Sequence, residues 1–344
     1  MAKSTSETKT KKATETNNSK SGTKTAKKTN STQEAKPSLI APNDKITITI
    51  PWSELKGPYD KALADLAKKM KIEGFRQGKV PLNIAEKQIS LEKVAETMLQ
   101  DILPKKYIEA LQKAKKQPIT APEYHLISIK KGEDWVLEAH FAEAPSIDLK
   151  NYEKYIKAGK QAAKEFIKKH NQQAEQKNPP KVKKTNTSDK DQQQKSEQIS
   201  KLSPDQEQEI YYQHILRELV VNIRPSIAEL LLRRETQAEF ENFKEQLASY
   251  NISVEKYLEQ RQIDLEQLGN EIAGTVLNRL QIDFILAAIA KERQLKVDDQ
   301  ALKKALAEIK DDKLRDQIAN HEQYLTSFKA QLLRRQTIET LVKD

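Results

Sequence analysis

Apolar residues alternate with threonine in "KITITIPW", where Ile46, Ile48 and Ile50 share one side of an extended chain. Period two predicts a half-buried strand, and Pro51 closes it. The period then lengthens. Tyr59, Leu63, Leu66, Ala67 and Met70 recur at helical spacing, with Pro58 suited to a first helical turn. A polar, glycine-hinged stretch follows, "KIEGFRQGKVPLNIAEK" from Lys71 to Lys87. Pro81 opens a short helix carrying Ile84 and Ile89. A longer one starts after Ser90, with Val94, Met98, Ile102 and Leu111 along one side and Pro104 placed to bend it. "EYHLISIK" and "WVLEAHFAE" read as strands, joined by a hairpin turn at "KGED" that contains Gly132. Residues 44–150 therefore form an α+β unit.

Two stretches lack any such pattern. Residues 1–43 are dominated by Lys, Ser, Thr and Asn, with almost nothing apolar before Leu39, and read as a disordered basic tail. Residues 1–37 hold nine lysines against three glutamates. That surplus suits either a solubilising tail or an arm that touches nucleic acid. Residues 171–200 contain no aromatic residue, so 151–202 reads as a helix and a low-complexity linker.

From Ser203 onward every periodic signal is helical. "SPDQ" and "DLEQ" are capping boxes headed by Ser203 and Asp264. Leu265, Leu268, Ile272, Val276, Leu280 and Phe284 follow the second at spacings of three and four. Residues 203–344 are expected to be an all-α domain with helical arms. In "AELLLRRE", Leu230, Leu231 and Leu232 run consecutively, so one narrow helix face cannot bury all three. They are either a client-binding surface or part of a broad buried face.

Composition narrows the chemistry. The 344 residues carry a net charge of +10, which favours a polyanionic partner without naming it. With 37% hydrophobic and 32% charged residues, the chain is not one compact ball. The absence of cysteine excludes disulfides, zinc–thiolate sites and cysteine nucleophiles. The five histidines have no metal-ligand spacing, and no catalytic array or phosphate-cradling glycine loop is visible, so no metal and no cofactor is expected. No signal-peptide core and no membrane-spanning window stand out, which points to a cytosolic protein that does not enter membranes.

The hinged stretch holds the candidate site. Gly74 and Gly78 permit left-handed backbone, and Phe75, Arg76 and Lys79 put a ring beside cations, a combination suited to an interface. The competing reading has Phe75 folded back over the preceding helix. "GFRQGKVP" resembles "GFRxGxxP", the motif of trigger factor, the bacterial ribosome-associated chaperone family. "FAEAPSIDLKNYEKY" and the helical run from Glu255 to Leu306 are similar to further segments of that family, so the resemblance covers residues 45–157 and 205–344.

The resemblance implies that the loop binds a ribosomal protein and rRNA at the peptide-tunnel exit. Gly74, Phe75, Arg76, Gly78, Lys79 and Pro81 match the motif, while Gln77 stands where the family usually has lysine. It also implies ATP-independent holding of unfolded nascent polypeptides, assistance to folding and export, and a possible homodimer off the ribosome. The family's peptidyl-prolyl isomerase domain has no counterpart here. Residues 151–203 hold only Tyr152, Tyr155 and Phe166 as aromatics, too few for a proline pocket, so isomerase activity is not expected. Two alternatives remain: an RNA-binding or ribosome-assembly protein, and an extracytoplasmic chaperone of the same helical build.

Overall fold

The computed structural model describes residues 38–177 and 200–343. The expected tail through residue 37 and the expected linker over 178–199 lie outside the described residues. In chain order the elements are β1 (Ile40–Ala41), β2 (Asp44–Ile50), α1 (Trp52–Lys69), α2 (Leu82–Gln88), α3 (Leu91–Ala114), β3 (Glu123–Ser128), β4 (Trp135–Phe141) and α4 (Tyr152–Lys177). They continue with α5 (Pro204–Ile223), β5 (Ile227–Ala228), α6 (Glu229–Ser249), α7 (Val254–Arg261), α8 (Leu265–Glu292), α9 (Asp299–Ala307), α10 (Asp312–Asn320) and α11 (Glu322–Lys343).

The head is a three-stranded antiparallel sheet in the order β2-β4-β3. Register places Ile48 opposite Leu137 and Ile50 opposite Trp135. The alternation visible in the sequence becomes a two-sided sheet. Ile48, Ile50, Trp135, Leu137, Ala139 and Phe141 are buried together with Leu55, Tyr59 and Leu63 of α1 and Val94, Met98, Leu99 and Leu103 of α3. The β3–β4 hairpin turns at Gly132, whose φ of +88° explains the glycine.

Three boundaries depart from the sequence reading. Helix α1 starts at Trp52, so Pro58 lies inside it rather than in its first turn. The reason is tertiary: the Trp52 N–H donates to Asp134 Oδ1 at 2.9 Å, and its ring lies 5.5 Å from Tyr59 and 6.5 Å from Trp135. Helix α4 continues to Lys177, past Asn171, because Ile156, Ala163, Ile167 and Ala174 bury a continuous side of it. The tail expected to stay disordered to residue 43 is ordered from Ser38. Its β1 pairs in parallel with β5, a strand in a region whose pattern signalled only helix. Two-residue strands carry no periodicity to detect.

In the helical part, Ser203 with Gln206 and Asp264 with Gln267 form both expected capping boxes. Helix α8 joins two cores. Its Ile285, Leu286 and Ile289 pack with Ile156, Ile215, Leu219 and Leu341, while Val276 and Leu280 pack with Ile227 and Leu232. By length and composition alone α8 could cross a membrane, contrary to the sequence reading. Its charged residues are matched within the fold instead. Arg279 pairs with Glu235 and Glu239 of α6, and Asp283 with Arg334 of α11.

Candidate functional site

The loop between α1 and α2 is two successive turns. The Phe75 N–H donates to Ile72 O at 3.1 Å and the Lys79 N–H to Arg76 O at 3.0 Å. Each turn has glycine third, with φ of +87° at Gly74 and +80° at Gly78. A type II turn needs positive φ there, which explains both glycines and their spacing of four. Gln77 occupies the second position of its turn, where most residues fit.

The base of the loop is anchored and its tip is open. Val80 is buried with Ala67 and Ala85, and Met70, Ile72 and Ile84 pack on them. Pro81 sets the N-terminus of α2 with φ −60°. Behind α2, Glu86 accepts from the Tyr59 hydroxyl at 3.2 Å and pairs with Lys131 of the hairpin turn. The Lys131 ammonium holds the Glu86 carboxyl below its usual range, and the Tyr59 hydroxyl also favours the ionised form. Between these anchors every residue from Glu73 to Lys79 is exposed. Phe75 is 39% exposed and takes no part in the Val80 cluster. Neither Arg76 nor Lys79 has an ion-pair partner among the described residues. A partly exposed ring and two cations without ion-pair partners among the described residues thus project from an anchored base.

Leu230, Leu231 and Leu232 are placed differently from the client-binding expectation. Leu230 is 0% and Leu232 8% exposed, and Leu231 is half-buried against the cluster of Ile227, Leu232, Val276 and Leu280. The broad-buried-face alternative holds, because α6 has the sheet-bearing head on one side of its start and α8 on the other. A different opening lies beside it. Leu232, Phe240, Leu265, Ile272 and Ala273 line a cleft of about 460 Å³ between α6 and α8, edged by Glu229 and Arg233.

The sequence reading also missed the residues that join head and helices. Arg233 of α6 reaches Glu123 of β3 at 2.7 Å and Glu229 at 2.9 Å. Arg234 donates to Ala121 O at 2.7 Å and pairs with Glu123 at 3.4 Å. Arg233, and then Arg234, hold the Glu123 carboxyl below its ordinary range. Paired arginines in "LLLRRE" were the one available signal, and their partner is more than a hundred residues away.

Residues 31–177 match the family model described as bacterial trigger factor protein, and residues 187–343 match the model of its C-terminus. The chain belongs to the trigger factor family. The two matches adjoin across residues 178–186, which leaves no room for an isomerase domain between them. The trigger factor of Nocardioides sp. is 34% identical over 109 residues, 32% of this chain and 23% of that protein. That of Staphylococcus epidermidis is 31% identical over 107 residues, 31% of this chain and 25% of the relative. The matched stretch thus spans about a quarter of those relatives' length. A solved structure, "Promiscuous Substrate Recognition in Folding and Assembly Activities of the Trigger Factor Chaperone", shares the fold. It has a TM-score of 0.52 and 14% identity over 88% of this chain and 97% of that one.

Proposed function

We propose that this trigger factor is an ATP-independent holdase of the cytosol that docks on the ribosome through Gly74, Phe75, Arg76, Gln77, Gly78, Lys79 and Pro81. The observation that carries this reading is the tandem-turn loop, whose glycines hold an exposed ring and unpaired cations away from an anchored base. Residues 44–150 act as the ribosome-binding domain, 151–202 replace the isomerase domain, and 203–344 hold the client. Membership of the family and relatives named trigger factor support the assignment.

With Leu230 and Leu232 in the core, the apolar cleft of Phe240, Leu265, Ile272 and Ala273 takes over as the client surface. Short apolar stretches of an unfolded chain bury area there weakly and leave when their own core forms. No nucleotide is needed for such an exchange.

Ribosome co-sedimentation tests the docking claim. Replacing Phe75, Arg76 and Lys79 with alanine removes the ring and both cations without touching Ile72 or Val80. Binding is expected to be lost while the circular dichroism spectrum is unchanged. Full binding by this variant would place the ribosome contact elsewhere.

A further inference from the structure

Helix α4 closes the part of the chain that matches the N-terminal family model and carries a lysine-rich side. Lys154, Lys157, Lys160, Lys164 and Lys168 follow one another at spacings of three and four, with Lys160 half-buried and the other four exposed. At 100° per residue they share one stripe, and at 1.5 Å per residue it runs for about 21 Å. The side adjoining the stripe, next to Lys160, is buried through Ile156, Ala163, Ile167 and Ala174, so the helix cannot turn its lysines elsewhere. None of the five has an ion-pair partner among the described residues. Of the acids of α4, Glu165 accepts from Gln161 and Glu175 pairs with Lys201, while Glu153, one turn before Lys157, offsets one charge and leaves the stripe net positive. Like charges three and four apart destabilise a helix. A polyanion laid along the stripe relieves that repulsion.

We infer that the lysine stripe of α4 binds the phosphate backbone of RNA, without reading bases, as a second contact separate from the Gly74–Pro81 loop. Lipid fits less well. An interfacial helix needs apolar residues beside its cations to enter the bilayer, whereas the buried side of α4 is spent on the core and its exposed Phe166 lies on the face opposite the lysines. An acidic protein fits less well too, because the stripe offers neither arginine nor aromatic anchors. Evenly spaced ammonium groups match a repeating line of phosphates.

The test is salt-dependent binding of the full chain to a fluorescent single-stranded RNA and to an RNA hairpin of unrelated sequence. The triple variant Lys157→Gln, Lys164→Gln, Lys168→Gln removes three phosphate contacts. The slope of log affinity against log salt should become shallower by about 2, at ~0.7 per single-strand contact. Glutamine is a helix former comparable to lysine, and circular dichroism verifies that α4 persists. The same positions changed to arginine should keep the wild-type slope. The Phe75/Arg76/Lys79 alanine variant should keep most of it as well, so failure of the ribosome-docking reading and failure of this one give different patterns. An unchanged slope in the glutamine variant, or no RNA binding by the wild-type protein at ~50 mM salt, overturns the inference. So does loss of binding to phosphatidylserine vesicles in that variant with RNA binding intact, which would assign the stripe to a membrane surface.

Discussion

Asn43 caps a helix from which it is separated by 187 positions: its Oδ1 accepts the backbone N–H of Leu230 at 2.6 Å. Helix α6 has Ala228 at its N-cap, with no side chain to satisfy the first free donors. Asn43 supplies the missing acceptor from the strand end of the head, and its Nδ2 donates to Glu229 Oε2 at 2.9 Å. Asn43→Ala should therefore lower stability by about 0.5–2 kcal/mol, read as the urea midpoint. Asn43→Asp keeps an acceptor but sets a carboxylate against Glu229, so it should not restore the midpoint. Wild-type stability in both variants would mean that the cap contributes nothing.

The same junction revises what an N-terminal truncation does. Residues 1–43 read by composition as a disordered tail, whose removal would cost no stability. However, Ile227 N–H donates to Leu39 O at 2.9 Å, and the Ser226 hydroxyl donates to Ser38 O at 2.5 Å. A chain starting at residue 44 should melt lower than one starting at residue 38. Equal melting temperatures would show that β1 adds no stability.

Legibility followed the range of each physical cause. The head was readable because Ile46, Ile48 and Ile50 and the run from Trp135 to Phe141 each repeat with the period of their own element. The loop was readable because Gly74 and Gly78 meet a local backbone requirement. The β1–β5 pairing, the Asn43 cap and the Glu123–Arg233 pair were not readable, since each joins segments more than a hundred residues apart by a few polar atoms. Leu230–Leu232 looked surplus to one helix face because the sequence of α6 does not reveal that the head covers its start.

Acid should loosen this junction. Arg233 holds Glu123 below the usual value near 4.5, and Asn43 followed by Arg233 does the same for Glu229. A carboxylate whose folded pKa is lowered adds stability that is complete above its ordinary pKa. That stability disappears as pH falls through the lowered value. Between pH ~7 and ~5 the junction should be unchanged, and it should weaken below pH ~4.5. In Arg233→Ala the part of the acid sensitivity that arises at Glu123 and Glu229 should shrink. Limited proteolysis between head and α6 across this range checks it, and identical acid profiles would refute the linkage.

Gly159 should resist even alanine. A Cβ at that position would lie 2.6 Å from Ile215 Cα and 2.9 Å from His214 O, both on the backbone of α5. Alanine improves helix propensity by up to about 1 kcal/mol. Prising apart two packed helices costs about 1–3 kcal/mol, so the clash should win. Gly159→Ala should lower the unfolding midpoint, whereas Gly269→Ala, with open space around its Cβ position, should raise it or leave it unchanged. A stabilised Gly159→Ala protein would mean that α4 and α5 are less closely packed.

If the Gly74–Pro81 loop docks on the ribosome as proposed, charge and shape there can be separated by two neighbouring substitutions. Gln77 is exposed at the second position of its turn, where a lysine fits without strain. Gln77→Lys adds a cation between Arg76 and Lys79. One exposed charge contributes about 0.2–1 kcal/mol, so ribosome affinity should rise a few-fold and the gain should fade as salt is raised. Gly78→Ala leaves every charge in place but forces a side chain into a φ of +80°, which costs about 1–3 kcal/mol and pushes the turn toward another shape. Affinity should then fall by a factor that hardly changes with salt, because the loss lies in geometry rather than in charge. If both variants shifted affinity with the same salt dependence, the tip would be acting as a diffuse cationic patch, and the two-turn geometry would not be what positions Phe75 and Arg76.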